Sequence, residues 1–360
     1  MSQDKLAQFT IGDHSIGDDH PTYFIADIAA NHDGDLARAI DLIYMAADAG
    51  ANAAKFQHFT AKTIVSDLGF RTLNSGESHQ SNWRKSVFDT YKDASVNLGW
   101  TSELVRACKN ANIEFFTSPY SLDLVEAMDQ YVQAYKIGSG DITWHQIIAR
   151  IASKQKPVIL ASGASSMDEV VAAVELALSI NPNLALLQCN TNYTGNIENF
   201  KYINLKVLES YRAMFPRMIL GLSDHTHGHS TVLGAVALGA RIIEKHFTDN
   251  IGRVGPDHAF SMDPNSWRAM VVATRELEAA LGVGIKRVEQ NEKETVILQR
   301  RSIRVRSNLS AGHIIQASDL ECLRPCPMGA CSADQAERLV GMKLTKEKYF
   351  GDCVYQNDIE

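Results

Sequence analysis

The chain has 360 residues, 45% of them hydrophobic and 21% charged, with a formal net charge of −7. This length exceeds one average domain and suits a (β/α)8 barrel of about 250 residues with a small appendage. The acidic balance argues against non-specific binding to nucleic acid or to an anionic membrane, although a local cationic pocket can still take an anionic substrate.

The opening stretch, MSQDKLAQFT, has neither the basic n-region nor the apolar core of a signal peptide. No apolar run reaches the roughly 18 residues of a transmembrane helix. A cytoplasmic protein is expected. Its cysteines, Cys108, Cys189, Cys322, Cys326, Cys331 and Cys353, form no CxxC pair and are expected as free thiols.

Short β-rich runs then recur. Tyr23–Ala29, Ala53–Gln57, Glu114–Ser118 and Ala134–Ser139 come first; Pro157–Ser162, Leu184–Asn190, Ile219–Asp224 and Arg241–His246 follow, eight in all. Stretches between them, such as LARAIDLIYMAADAGA and MDEVVAAVELALSI, carry helical spacing. Most of the strands are continuous apolar runs ending in a polar cluster, the pattern of parallel strands covered on both faces. Eight alternating units predict a closed α/β TIM barrel over residues 1–282. The segment Thr60–Trp100 is long for a βα connection and is expected to elaborate the barrel mouth. A helix is expected from about Asn265 to Leu281, a polar linker over 283–300, and a small separate domain over 301–360.

Active sites of (β/α)8 barrels form at the C-terminal ends of the strands. Standing there are Asp27, Asn31 and His32; Lys55 and Gln57; Thr117 and Ser118; Lys136, Ser139 and Asp141; Ser162; Gln188, Asn190, Thr191 and Tyr193; Ser223, Asp224 and His225; and Glu244, Lys245 and His246. Two lysines among hydroxyls and amides suit a small molecule bearing phosphate and carboxylate. His225 and His246, on adjacent strands, are placed to hold a divalent metal with positions left open, Mn²⁺ or Mg²⁺ rather than Zn²⁺, because two imidazoles plus waters suit a harder ion. Strand alternation puts Glu244 with His246 and turns Lys245 to the other face, so Lys245 is left out of the site. Asp224 is either a structural cap or a support for a ligand. His227 and His229 are expected as solvated loop residues, and Tyr193 as a substrate contact.

The runs FIADIAANHDGDL, AGANAAKFQHF, FFTSPY, AYKIGSGD, GLSDHT and IEKHFTDNIGRVGPDHAFSM resemble the sialic acid synthase family, whose members make N-acetylneuraminate, legionaminate or pseudaminate. The resemblance spans the chain, and residues 301–360 look like the antifreeze-like SAF domain, a β-clip fold, of those enzymes. It implies condensation of phosphoenolpyruvate with an N-acyl amino sugar, N-acetylmannosamine or a related 2,4-diacetamido-6-deoxy hexose, to give a nonulosonic acid and phosphate. It implies His225 and His246 as metal ligands, and Lys55, Gln57, Ser118, Lys136, Ser139 and Ser223 as phosphoenolpyruvate contacts. Tyr193 and Asp257 match sugar contacts, with Asn190 and Thr191 beside them. It also implies a domain-swapped homodimer in which Arg324 reaches the sugar of the partner subunit. Three positions depart from the pattern: Asp27 stands for Glu, Ala161 for a serine near the phosphate, and Thr191 for Asn. Asp27 is the candidate for moving a proton or orienting sugar hydroxyls, with Lys136 among the catalytic groups. Alternatives are the same reaction on a phosphorylated sugar, a metal-free Schiff-base aldolase using Lys136 or Lys55, and a carbohydrate- or ice-binding module on an inactive barrel.

Overall fold

The structure is a computed structural model that describes residues 7–73, 80, 83 and 85–360. The residues Met1 to Leu6 of the opening stretch, and part of the Thr60–Trp100 segment, lie outside the described residues. The chain divides into two compact units, Met1–Gly282 and Val283–Glu360.

The first unit begins with a hairpin, β1 (Gln8–Ile11) and β2 (His14–Gly17), that sequence reading does not anticipate. Its strands are only four residues long, and the Gly12-Asp13 turn is its one local signal. Eight parallel strands follow: β3 (Tyr23–Asp27), β4 (Ala53–His58), β5 (Glu114–Pro119), β6 (Tyr135–Ile137), β7 (Val158–Ala161), β8 (Leu184–Cys189), β9 (Ile219–Asp224) and β10 (Ala240–His246). Hydrogen-bonded neighbours run β5-β4-β3-β10-β9-β8-β7-β6, and the end strands β5 and β6 pack together, closing the sheet into the expected TIM-like barrel.

Alternation along each strand builds two cores. Phe24, Ala54, Phe115, Tyr135, Leu160, Leu186, Leu220 and Ile243 face outward to the helices. Ile25, Ala53, Phe116, Ala134, Ile159, Ala185, Ile219 and Ile242 fill the barrel, and Phe9, Ile11 and Ile16 of the hairpin pack into the same interior cluster. The helices bury one stripe each. Leu36–Asp48 buries Ala39, Leu42, Ile43 and Ala46, and its first turn is capped by the Asp35 carboxylate. Met167–Ile180 starts in a Ser166–Glu169 capping box, and Pro264–Leu281 starts with Pro at its first position and Asp263 as its cap. Among the described residues no helix is long and apolar enough to cross a membrane.

In the second unit, residues 283–300 include a short helix, Lys293–Gln299. Beyond it, β11 (Ser302–Val305) pairs antiparallel with β12 (Leu320–Leu323), and isolated bridges join the remaining turns around Ile303, Val305, Ile315, Leu344 and Val354. Lys346 and Lys348 converge on the buried Asp358 carboxylate. The cysteines of both units are unpaired.

One outward-facing residue has a testable consequence. His58 is fully buried, its ring nitrogens bonded to Thr117 Oγ1 at 2.7 Å and Thr101 Oγ1 at 3.3 Å. Burial, with His32 nearby, lowers its pKa from 6.5 to about 4. The unfolded chain therefore takes up a proton here that the native fold refuses, and the stability this site contributes is lost as pH falls through 6.5 toward 4. Between pH 7 and pH 5 the wild type should lose about 2 kcal/mol more unfolding free energy in urea than His58→Asn. Equal losses would refute the assignment.

Candidate active site

The polar ring is a continuation of the interior faces. Where β3, β4, β6, β9 and β10 run on toward their C-terminal ends, the inward positions change from apolar to Asp27, Lys55, Lys136, Ser223, Glu244 and His246. Register makes them neighbours. Asp27 of β3 lies beside Lys55 of β4 on one side and His246 of β10 on the other, and Glu244 lies beside Ser223 of β9.

Lys55 Nζ sits 2.7 Å from Asp27 Oδ2 and 3.8 Å from Glu244 Oε1, and Lys136 Nζ sits 3.3 Å from that same Glu244 oxygen. Gln57 Nε2 donates to Asp27 Oδ2 at 3.1 Å, and Ser223 Oγ donates to Glu244 Oε1 at 3.4 Å. Burial pulls the Lys55 ammonium toward neutrality, but Asp27 and Glu244 outweigh it and hold its pKa above the ordinary lysine value. Asp257 is pushed up to about 6, chiefly by burial, despite the bond its Oδ2 accepts from the Ala30 N–H at 3.1 Å. Asp141 rises to about 6 for the same reason, with Lys136 opposing.

His225 and His246 face each other with ring centroids 5.4 Å apart. Edge contacts fix both rings: Tyr193 against His225 at 4.5 Å and Phe260 against His246 at 4.8 Å. His225 Nδ1 donates to the Asn190 carbonyl at 3.0 Å, which in the neutral ring leaves Nε2 as the lone-pair nitrogen. Burial, with His225 and Lys55 close by, pulls His246 well below the ordinary histidine range, so it is a neutral imidazole. His246 Nδ1 is buried without a hydrogen-bond partner, and Asp27 and Asp257 oxygens lie 3.5 and 4.0 Å from its two nitrogens. Two imidazoles, one with an orphaned nitrogen, and two adjacent carboxylates fit a divalent cation. Among the described residues no three His, Cys, Asp or Glu side chains form a metal cage. The donor set is thus an open one.

These groups line a pocket of about 350 Å³, within the range of small-molecule sites. Asp27, Lys55, Gln57, Lys136, Ser139 and Ser223 all reach it, as do Thr191, Tyr193, His225, His246 and Asp257. Ser139 is brought in by a tight turn. Gly163, at φ +60°, passes so close that a Cβ there would lie 2.5 Å from the Ser139 Cβ. Three expected residues stand apart. Ser118 is buried beside Gln57 in register, its hydroxyl without a partner, and is outside the pocket lining. The Asn190 side chain turns to the Tyr202 carbonyl, so only its backbone serves the site. Arg324 is an exposed residue of the second unit.

Asp141 and Glu244, both expected at the strand ends, line the pocket as well. Tyr120 and the Trp83–Tyr91 wall carry no sequence signal, because a turn after β5 and the elaborated segment bring them in. Described parts of the long segment after β4, including Ile64, Thr90 and Tyr91, line the pocket, as expected of an elaborated mouth.

A model of the NeuB family matches residues 42–286, and one of the SAF domain matches residues 300–360. The N,N'-diacetyllegionaminic acid synthase of Campylobacter jejuni is 32% identical over 329 residues, covering 90% of this chain and 96% of that protein. The pseudaminic acid synthase of the same species is 31% identical over 352 residues, covering 95% and 98%. The crystal structure of the N-acetylneuraminic acid synthetase of Leptospira borgpetersenii, in complex with citrate, superposes with a TM-score of 0.70 at 29% identity, covering 81% of this chain and 95% of that one. With the family model spanning most of the barrel and a relative above 30% identity along most of its length, the chain belongs to the NeuB family and carries an SAF domain after its barrel.

Proposed function

We propose that the chain condenses phosphoenolpyruvate with an open-chain N-acyl amino sugar and water, giving a nonulosonic acid and inorganic phosphate. The observation that carries this reading is the pair of buried lysines, Lys55 and Lys136, meeting on Glu244 beside two imidazoles in one pocket. C3 of the enol attacks the aldehyde carbon, water adds at C2, and phosphate leaves with C–O cleavage.

Lys55 and Lys136 bind the phosphate and carboxylate and hold the enol for attack. Glu244 and Asp27 keep both ammonium groups in place until the anion arrives. Gln57, Ser139 and Ser223 orient the phosphoenolpyruvate, and Thr191 stands on the sugar side. Tyr193 and Asp257 hold the sugar, and Asp27 orients a hydroxyl or moves its proton. His225 and His246 would hold Mn²⁺ or Mg²⁺, which when bound supplies Lewis acidity at the aldehyde oxygen. Arg324 is taken to serve the sugar of the partner subunit in a domain-swapped homodimer.

A Schiff-base nucleophile needs a lysine of depressed pKa, and the carboxylates around Lys55 do the opposite. The test is phosphate release from phosphoenolpyruvate against N-acetylmannosamine, its 6-phosphate and 2,4-diacetamido-6-deoxy hexoses. Release should require an unphosphorylated N-acyl sugar, stop in EDTA and return with Mn²⁺ or Mg²⁺. Release indifferent to sugar, or borohydride trapping of a keto acid on Lys136 or Lys55, would overturn it.

A further inference from the structure

We propose that His258, which lies outside the pocket, positions the Asp257 carboxylate by strapping together the two loops that meet at it. The inference rests on the reading of Asp257 as a sugar contact. Asp257 accepts from the backbone N–H of Ala30 at 3.1 Å. The two residues belong to different loops, the one after β3 and the one after β10. Whatever fixes the separation of those loops therefore fixes the carboxylate.

The loop after β10 is pinned at its base. Thr248 N donates to the Met262 carbonyl, and Met262 N to the His246 carbonyl. Between these points the chain makes a long excursion, and His258 is its fully buried anchor. One ring nitrogen, Nε2, lies 3.0 Å from Asp33 Oδ1 on the opposite loop, and the other, Nδ1, lies 2.8 Å from Thr248 Oγ1 at the start of its own loop. A carboxylate only accepts, so Nε2 carries the proton.

Asp33 is held in turn. Arg38 Nε approaches its other oxygen at 3.1 Å, and the Arg38 guanidinium also grips Asp249 with bonds of 2.8 and 2.6 Å. The result is a closed circuit from His258 through Asp33, Arg38 and Asp249 back to Thr248. It joins the loop that carries Ala30 to the loop that carries Asp257. The ring's seat demands glycine opposite, since a Cβ on Gly255 would lie 2.6 Å from His258 Cδ2. Asp257 and Ala30 line the pocket, whereas His258, Asp33, Arg38, Asp249 and Thr248 are not among its lining residues, so His258 is a positioning residue.

The test compares His258→Ala, His258→Gln, Asp257→Asn and the double variant His258→Ala/Asp257→Asn. Acceptor KM should rise about tenfold in His258→Ala while the KM for phosphoenolpyruvate stays within about twofold. His258→Gln, whose amide can still donate to Asp33, should recover most of the difference. In the double variant the histidine change should add less than about twofold to Asp257→Asn, because both act through one carboxylate. Backbone hydrogen exchange over residues 249–261 should speed up in His258→Ala and not in Asp257→Asn. Unchanged exchange, or an acceptor KM that follows Asp257→Asn but ignores His258→Ala, overturns the strap. An acceptor KM indifferent to Asp257→Asn overturns instead the sugar-contact reading, and the exchange arm still decides whether the strap exists.

Discussion

His225→Ala and His246→Ala should each lower phosphoenolpyruvate-dependent phosphate release by at least about a thousandfold and empty the site of divalent metal, since a Lewis acid at the reacting carbonyl is worth several kcal/mol. No other imidazole lines the pocket among the described residues, so neither has a like-for-like substitute. Their rings are also pre-set. The Asn190 carbonyl fixes His225, Tyr193 and Phe260 fix the ring planes, and burial keeps His246 neutral. Both side chains border the pocket, so truncation widens a cavity that water already enters and costs little stability. His227→Ala is the control. It lies on the same loop with its ring exposed, and its turnover should stay within about twofold of wild type, as for an ordinary surface substitution. Metal content after gel filtration and phosphate release under saturating Mn²⁺ measure both effects. Full metal-dependent turnover in both variants would dismiss the metal assignment.

The legible part of this protein is the part written in period two. Once eight apolar runs are taken as barrel strands, alternation alone sends Asp27, Lys55, Lys136, Ser223 and His246 inward and Lys245 outward, and the register agrees. Glu244 was as legible as His246, since the two share a face. What resisted reading lies in loops. Tyr120 reaches the pocket through a turn, and Tyr91 through a helix of the elaborated segment, where strand alternation does not say which way a side chain points. Asn190 fails for a related reason: one residue past the end of β8 alternation no longer holds, and its amide swings to Tyr202. The β1–β2 hairpin escaped because four-residue strands carry too little pattern, although Phe9, Ile11 and Ile16 help fill the barrel. Asp224, open between two roles in the sequence, is settled by its partners: it accepts from Thr226, Thr231 and Lys245 on the outer face.

That outer face supplies the sharpest contrast between two buried lysines. Lys245 and Asp224 are 1% and 2% exposed, and Lys245 Nζ donates to the Asp224 carboxylate and to the Thr226 carbonyl at 2.6 Å. Burial raises the Asp224 pKa, but Lys245 and the two threonine hydroxyls outweigh it and hold it below the ordinary carboxylate range. Lys245→Met strands that carboxylate between barrel and helices without a cation, which should cost about 3–5 kcal/mol of unfolding free energy. Its folded fraction should keep kcat within about threefold, because nothing in the pocket has moved. Lys136→Met should do the reverse. Glu244 still has Lys55 at 3.8 Å and the Ser223 hydroxyl, and it borders a pocket open to water, so the stability loss should stay near about 1 kcal/mol. Turnover should fall at least about a thousandfold, because the substrate anion loses one of two cations. Urea unfolding and phosphate release at a temperature where both variants are folded separate the two effects. A Lys245→Met protein that is folded yet inactive, or a Lys136→Met protein that is active, would mean that the lysines have been assigned to the wrong faces of the barrel.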